Sequence, residues 1–250
     1  MKKILLFFCL LYLTFPCRAQ YSIRDSSISF PMIGATISYD FPAADMADRF
    51  GNNFSAGGVF QWKLKSNLLI GIEANYIFGE NVLENHFLDR FRTSDGNFID
   101  GNGSYSIVSL SERGLRLNLK FGKIFPLFGP NKNSGLLTSL GVGFLQHKIF
   151  IDTPGNPIPY LEGEYAKGYD RYTNGFMVNQ FIGYMNFSNK RLVNFFAGIE
   201  VTEGFTQNRR DYNFDTGMHD NKKRTDILVG IKAGWVFPIY KRIADKYYIN

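Results

Sequence analysis

The feature that most restricts the fold of this chain is a set of eight segments in which apolar residues occupy every second position. Such alternation is typical of β-strands with one apolar face, because successive side chains point to opposite sides of a sheet. The alternation predicts strands over Phe30–Phe41, Ala56–Leu64, Leu68–Gly79, Ser104–Phe125, Leu136–Ile151, Phe176–Phe187, Val193–Gly204 and Thr225–Ile239. Each predicted strand therefore has one apolar face and one face that carries glycines, polar residues and charges. Gln180 interrupts the apolar face of the sixth strand, and this predicts a β-bulge there.

Short and long connections alternate between the predicted strands. The short ones are Lys65–Asn67, Pro126–Ser134 and Ser188–Leu192, and the long ones are Pro42–Ser55, Glu80–Gly103, Asp152–Gly175 and Phe205–Arg224. Outer-membrane barrels have short turns on the periplasmic side and long loops outside. The sequence therefore predicts an all-β fold: an eight-stranded antiparallel up-and-down transmembrane β-barrel with both termini in the periplasm. A secreted β-sandwich is the alternative, but it requires neither this regular change in loop length nor charges on a buried face.

The first residues of the chain have the features of an export signal. Lys2 and Lys3 precede an apolar run over Ile4–Phe15, which is too short to cross a bilayer as a helix. Small residues then precede the expected cleavage point. This pattern predicts a signal peptide at residues 1–19 and a single outer-membrane barrel domain at residues 20–250.

A lipoprotein is the alternative interpretation of this leader, with Cys17 as the acylated residue, although Thr14 and Pro16 fit a lipobox poorly. The only other cysteine is Cys9, so cleavage after residue 19 would leave no thiol for a disulfide or a metal site. Cleavage would also lower the formal net charge of +6 by three. The remaining basic residues form no stripe with interleaved aromatics, and no nucleic-acid partner is expected.

Aromatic residues cluster near the ends of the predicted strands. Amphipathic rings prefer the two membrane–water interfaces, whereas β-propensity alone would not sort them to strand ends. One predicted belt contains Phe30, Trp62, Phe125, Phe187, Phe195 and Trp235, and the other contains Tyr39, Tyr76, Phe78 and Phe144. These belts indicate an apolar band in contact with lipid.

The opposite faces of the strands would line the lumen, which in an eight-stranded barrel is filled by its own side chains. The charged residues on those faces include four of each sign: Asp40, Glu73, Glu200 and Asp226 with Lys63, Arg116, Lys120 and Lys232. Because a buried charge without a partner is costly, these residues predict an internal ion-pair network. We expect Glu200 beside Lys232 and Glu73 near a cation of the fourth strand. Such a network argues against a wide pore and leaves a narrow channel as an alternative.

His147 is the residue that raises the question of catalysis. It lies at the outer end of the fifth predicted strand, with Ser111 and Glu112 at a similar height on the fourth. A histidine with a nearby serine and acid at the outer leaflet would suit a lipid A-modifying enzyme. The alternative is a hydrogen-bonded interior histidine, a common role for the two ring nitrogens. The sequence favours the second interpretation, and no enzymatic activity and no cofactor are expected.

The predicted external loops carry two further patterns. Asp95–Asn97 and Asp100–Gly103 resemble calcium-binding loops, but Asp-Gly and Asn-Gly are ordinary turn pairs, and no metal is expected. Arg209–Asp211 and Lys222–Arg224 make the last loop basic, which suggests either contact with lipopolysaccharide phosphates or a protein partner, or a solvated loop of mixed charge. Long loops often carry function, so a docking surface is expected here.

The stretches GVGFLQHKI, GYDRYTNGF and GWVFPIY, together with the Cys-Arg-Ala-Gln leader end, resemble small outer-membrane barrels of Bacteroidota and the OmpA-like transmembrane domain. That resemblance implies an outer-membrane location. It also implies a structural or complex-forming envelope component, as an accessory of secretion or envelope assembly; Bacteroidota often carry type IX secretion. Few residues follow the last predicted strand, so the peptidoglycan-binding domain of OmpA is not expected. Outer-membrane lipids, lipopolysaccharide and a protein partner at the loops are the expected contacts.

Overall fold

The computed structural model of the chain describes residue 23, residues 26–189 and residues 193–240. The predicted signal peptide at residues 1–19 and part of the predicted turn Ser188–Leu192 lie outside the described residues. The strands are β1 (Phe30–Ala44), β2 (Asn53–Lys63), β3 (Leu68–Gly79), β4 (Phe98–Ile99), β5 (Tyr105–Ser106), β6 (Ser109–Phe125), β7 (Gly135–Asp152), β8 (Thr173–Phe187), β9 (Asn194–Asn208) and β10 (Lys223–Pro238). A short helix α1 (Gly163–Ala166) and 3-10 turns at His86–Phe91 and Pro159–Leu161 lie between strands.

Eight of these strands close into one antiparallel barrel in the order β1-β10-β9-β8-β7-β6-β3-β2, while β4 and β5 form a separate small hairpin. Each barrel strand pairs with the next barrel strand along the chain, and β1 closes the ring against β10 from Met32↔Pro238 to Ala44↔Asp226. The predicted all-β, eight-stranded up-and-down barrel is confirmed. Closure leaves the sheet without a free edge.

The two ends of the barrel differ in the length of their connections. The loop end carries loop 1 (45–52), loop 2 (80–108), loop 3 (153–172) and loop 4 (209–222). The turn end carries 64–67, 126–134 and the paired ends of β8 and β9, Phe187↔Asn194. Several strands reach further into the loop end than predicted; β2 begins at Asn53 and β9 ends at Asn208. In these extra strand residues polar side chains face inward, and the strand pairing continues beneath the loops. A search for alternating apolar residues therefore does not detect them. Among the described residues, no helix combines the length and apolar content needed to cross a bilayer.

Alternating burial along the strands separates an apolar outer wall from a closed interior. On β3, Ile72 is 59% exposed, whereas Glu73 beside it is 3% exposed. Gln180 lies on the outer wall opposite Leu140 and Val201, and pairing through β8 is continuous. The predicted bulge is therefore wrong: the chain keeps its ladder hydrogen bonds and leaves one amide on the apolar wall.

Two apolar clusters fill the lumen at its ends. The turn-end plug contains Phe30, Met32, Val59, Leu69, Ile124, Leu137, Phe181, Met185, Phe187, Phe196 and Val236 with Ile23. The loop-end plug contains Met46, Phe50, Ile77, Phe87, Leu88, Phe98, Leu145, Ile149, Ile158, Leu161, Tyr169, Met177 and Leu228. The loop-end plug draws side chains from loops 1, 2 and 3 as well as from strands, so these loops fold over the barrel mouth.

Two residues of the predicted aromatic belts belong instead to the turn-end plug, so their assignment to the membrane interface is wrong. Phe30 and Phe187 are buried in the lumen, with ring centroids 5.2 Å apart and rings nearly perpendicular. Phe30 has the inward parity of Met32, and Phe187 that of Met185, so strict alternation places both rings inside. Of the other predicted belt residues, Tyr39 is half-buried on the outer wall, and the exposed ones are Trp62, Tyr76, Phe78, Phe125, Phe144, Phe195 and Trp235.

Candidate functional site

Six charged side chains meet between the two plugs and form what we call the lumen network: Asp40, Glu73, Arg116, Lys120, Glu200 and Lys232. Lys232 Nζ lies 2.8 Å from Glu200 Oε1 and also contacts Glu73 Oε1. Lys120 Nζ bridges the same two carboxylates, at 3.0 Å from Glu200 Oε1 and 3.3 Å from Glu73 Oε2. These four residues come from four strands, so the network ties opposite walls of the barrel together.

Arg116 joins these four residues to a third carboxylate, Asp40 of β1. Its Nη2 donates to Asp40 Oδ2 at 3.0 Å and to Ser38 Oγ at 3.1 Å, and its Nη1 lies 3.5 Å from Glu200 Oε2. The lumen network contains three acids and three bases, all nearly inaccessible to solvent. Charges that neutralise one another in a sealed interior can hold strands in register, but they offer no open cleft in which a substrate could reach an acid or a base.

Two residues predicted for the network lie elsewhere. Lys63 ends β2 at the turn end, where its Nζ donates to Asn133 Oδ1 at 2.8 Å and to the Ile28 carbonyl at 3.0 Å. The turn-end plug separates it from the lumen carboxylates, so its partners are neutral oxygens. Asp226 faces inward nearer the loop end, and its Oδ2 lies 2.9 Å from His147 Nε2.

The catalytic arrangement considered for His147, Ser111 and Glu112 is not formed. His147 faces the lumen, pairs with Asp226 and packs edge-on against the Phe50 ring at 5.5 Å. Ser111 has the opposite parity on β6, three residues from the cross-strand partner of His147, so the sheet lies between the two side chains. Glu112 faces inward and accepts a hydrogen bond from Asn53 Nδ2 at 2.8 Å. These groups are buried structural polar residues beneath the loops.

The loops are held together by buried arginines in a cluster that we call the arginine clamp: Arg49, Glu84, Arg171 and Asp215. Glu84 of loop 2 accepts from Arg49 Nε of loop 1 and from Arg171 Nε of loop 3, each at 2.7 Å. Arg171 also forms a two-pronged pair with Asp215 of loop 4, at 2.8 and 2.6 Å. Four loops that are distant in sequence therefore share one charge cluster, and paired geometry of this kind is the strong form of ionic hydrogen bonding.

The arginine clamp lowers the pKa of both its carboxyl groups and holds Arg171 in a left-handed backbone conformation. Burial acts to raise the pKa of the Glu84 carboxyl, but the Arg49 and Arg171 guanidinium groups outweigh it and hold this pKa below its ordinary value. Arg171 likewise outweighs the burial of Asp215 and lowers the pKa of that carboxyl. Arg171 has a φ of 51°, a left-handed conformation that costs a non-glycine residue about 1 kcal/mol or more. Its three charged contacts offset that cost.

An open cleft of about 470 Å³ adjoins the clamp. Its walls come from all four loops and the start of β10: Asp45, Asp48, Arg49, Glu84, Arg171, Asn213, Thr216, Met218, His219, Asp220, Lys222 and Arg224. Several of these charges are already paired, as in Lys222–Asp45 at 2.8 Å and Arg224–Asp220 at 2.7 Å. Arg210 also pairs with Asp170 of loop 3, so three of the five basic residues predicted to make this loop basic are neutralised by acids of loops 1, 3 and 4.

Asp100, in the segment that resembles a calcium loop, braces a turn. Its Oδ1 accepts from the backbone nitrogens of Asn102 and Ser104 at 2.8 and 2.9 Å, and its Oδ2 accepts from Asn156 Nδ2 at 2.8 Å. Both oxygens thus have protein donors, an arrangement typical of an Asx turn. The contact with Asn156 also links loop 2 to loop 3.

The arginine clamp is the main feature that sequence reasoning missed. Its members lie in four separate loops, and each pair is spaced by dozens of residues, so no local pattern connects them. The one available signal is composition: loops 1 to 4 carry six arginines and thirteen acids, so charges of both signs are available to pair.

Comparison with known proteins finds similarity in structure but not in sequence. No protein-family model and no curated protein matches the chain. Among solved structures it is similar to Neisserial surface protein A, with 11% identity, coverage of 84% of this chain and 97% of that chain, and a TM-score of 0.41. It is also similar to Ail, the attachment invasion locus protein of Yersinia pestis, in complex with the heparin analogue sucrose octasulfate (10% identity, 84% and 97% coverage, TM-score 0.37). A third is the N-terminal β-barrel domain of Pseudomonas aeruginosa OprF (11% identity, 82% and 97% coverage, TM-score 0.35). These neighbours are outer-membrane β-barrel proteins, and the barrel assignment for this chain stands on its own strand pairing.

Proposed function

We propose that this protein is a non-enzymatic outer-membrane β-barrel that acts as a structural or complex-forming component of the envelope. The observation that carries the proposal is the outer wall: Ile231 is 65% exposed, Leu140 62% and Ile72 59%, and the apolar surface continues around a closed barrel. Soluble monomers rarely expose apolar patches of more than a few hundred Å². A closed sheet with an apolar exterior satisfies all its backbone groups internally, which is what a lipid environment demands.

The orientation follows from the two ends of the barrel. Short connections lie on the periplasmic side of such barrels and long ones outside. We therefore assign the loop end to the cell exterior and both termini to the periplasm. The arginine clamp and the loop-end plug support the idea that the loops form one docked platform, because loops with buried anchors present a fixed surface.

The platform is suited to a protein partner. Tyr105, Ile107 and Tyr165 project from loops 2 and 3 as exposed apolar side chains, and exposed aromatic and aliphatic groups are common anchors of protein interfaces. With the sequence resemblance to barrels of Bacteroidota, we propose an accessory role in secretion or envelope assembly, with type IX secretion as its specific form. Outer-membrane lipids and lipopolysaccharide surround the barrel.

Membrane extraction and conductance test this proposal together with the two other functions considered. The full-length protein should fractionate with outer membranes and require detergent for release, because its wall is apolar. In planar bilayers it should be silent, since two apolar plugs and the lumen network fill the interior. A chain that is soluble in the periplasm would contradict the proposal, and steady single-channel currents would favour the narrow channel. A lipid A mass profile that depends on expression of the chain, and returns to normal in His147→Ala, would favour the enzyme.

A further inference from the structure

Two cations lie side by side on an outer wall that is otherwise mostly apolar. Arg113 of β6 and Lys148 of β7 are direct cross-strand partners, and both have outward parity, since their neighbours Gly114 and His147 face the lumen. The guanidinium carbon of Arg113 and the ammonium of Lys148 lie 5.7 and 5.9 Å from the centroid of the same Phe150 ring. Two like charges at adjacent positions therefore lie against one exposed aromatic ring.

Neither cation forms an ion pair with a carboxylate of the described residues. Like charges directly opposite each other on a sheet destabilise it. Within residues 26–189 and 193–240, no carboxylate lies within ion-pair distance of either cation, in contrast to the arginines of the clamp. Arg113 Nη1 donates to the neutral carbonyl of Glu112 at 3.3 Å. A binding partner that supplies negative charge would remove the repulsion.

The register places the pair at the loop-side edge of the apolar band. Arg113 continues a cross-strand row that runs through Tyr39, Phe54 and Phe78, with the Tyr39 and Phe54 rings 4.8 Å apart and the Phe54 and Phe78 rings 6.1 Å apart. Aromatic rows of this kind lie at the level of lipid headgroups. Towards the turn end the same face continues with apolar side chains, among them Leu117.

We propose that Arg113 and Lys148 bind the phosphate of a lipid headgroup in the leaflet at the loop end. Arginine offers a planar fork to two phosphate oxygens, and lysine adds a mobile point charge. The next outward row below them is Leu115 and Gln146, and Leu117 and Phe144 follow in the row after it. This wall would contact the acyl chains of the same molecule, so the site selects a lipid-borne phosphate over a soluble one.

The depression of about 420 Å³ beside Lys148 is lined by three acids, Asp152, Glu162 and Asp170, and by the cations Lys167 and Arg210. Asp152, on the same face as Lys148 and nearer the loops, bounds the site on its outer side. The inference rests on the proposed membrane location.

Binding of lipid A with and without its phosphates tests the site. Purified full-length barrel in detergent is titrated with bisphosphorylated lipid A, and bound lipid is counted by native mass spectrometry. We expect Arg113→Gln/Lys148→Gln to weaken binding by about tenfold or more, because it removes two charge-assisted contacts. The wild-type barrel should bind dephosphorylated lipid A as weakly as the double variant binds lipid A. Millimolar inorganic phosphate should leave lipid A bound.

Lys123→Gln/Lys132→Gln is the matched control. It removes two cations at the turn end, and Lys123 also lies over a ring, 5.6 Å from the centroid of Phe125. This control should bind lipid A like the wild type. In lipid-free detergent the Arg113/Lys148 double variant should be at least as heat-stable as the wild type, because it relieves like-charge repulsion. Lipid A should stabilise the wild type and the control but not the double variant.

Equal binding by the double variant, equal binding of dephosphorylated lipid A, or displacement by inorganic phosphate would each overturn the inference. None of these results bears on the membrane location, which fractionation with outer membranes tests. The slower migration of the boiled barrel in detergent gels shows that each variant is folded before boiling. A chain that never enters membranes would instead overturn the proposed function itself.

Discussion

Replacing Glu200 with alanine should be among the most destabilising single changes in this barrel, lowering the free energy of unfolding by about 3–5 kcal/mol. Glu200 contacts Lys120, Lys232 and Arg116 at 2.8 to 3.5 Å in an interior closed to water. Its removal leaves three cations facing two carboxylates, and a buried charge without a partner is far more costly than a missing contact. Urea unfolding of the barrel in lipid vesicles measures the loss.

Two further variants separate a charge effect from a general effect of mutation. Glu203→Ala removes an acid three residues away on the same strand, but from the outer face opposite Ile227 and Val178, and should change stability little. Glu200→Leu/Lys232→Met removes one charge of each sign and should cost less than Glu200→Ala alone, because the interior stays neutral. If Glu200→Ala lies within about 0.5 kcal/mol of Glu203→Ala, the lumen network does not hold the barrel together.

Arg171→Ala should release the loops while leaving the barrel folded. The change removes three charged contacts to Glu84 and Asp215 and leaves Glu84 to Arg49 alone. Hydrogen bonds to charged groups contribute roughly 1.5–3 kcal/mol each, so the free energy of loop opening should fall by at least about 2 kcal/mol. Cleavage of loops 2 to 4 by a low dose of protease should accelerate by more than about tenfold.

Lys167→Ala is the control for this effect. Lys167 lies in the same loop, but its pair with Glu164 is solvent-exposed and contributes little. Cleavage rates should match those of the wild type. Equal cleavage rates in Arg171→Ala and wild type would contradict the claim that the arginine clamp holds the loops together.

Acid should weaken the arginine clamp and open the loops, as Arg171→Ala does. Because the pKa values of Glu84 and Asp215 lie below their ordinary values in the folded protein, their pairing stabilises the loops fully above the unfolded pKa of about 4. That contribution is lost as pH falls from there through the lowered folded values. Hydrogen-exchange protection factors, which correct for the slow intrinsic exchange of amides in acid, should therefore be high for the loops at pH 7 and low near pH 3, while the barrel strands stay protected at both. Arg171→Ala should show much of this loss of loop protection already at pH 7.

The architecture could be predicted because its signal is local. A period of two residues and a regular change in connection length are both visible along the chain, and together they admit few closed sheets. The lumen network followed from the same parity, since inward charges of both signs must neutralise one another in a narrow interior. Phe30 and Phe187 were misplaced because strand-end aromatics were assigned by height without their parity.

The loop end resisted prediction for the opposite reason. The contact between Arg171 and Glu84 spans 87 residues, and it depends on three loops folding over the barrel mouth at once. Nothing in the local sequence of GYDRY distinguishes an arginine that anchors four loops from one that points into solvent. Lys63 shows the same limit within a strand: parity places it inside, but only the turn-end plug separates it from the lumen carboxylates.

Quenching of tryptophan fluorescence by brominated phospholipids tests the central claim most directly, because it reports contact between the outer wall and acyl chains. The chain has two tryptophans, Trp62 and Trp235, both exposed on the outer wall near the turn end. In vesicles the emission should be strongly quenched, and more so by bromines near the headgroup end of the acyl chain than by bromines at its tip. Emission that is unaffected by lipid bromination at every depth would contradict a barrel whose apolar face lies in the membrane.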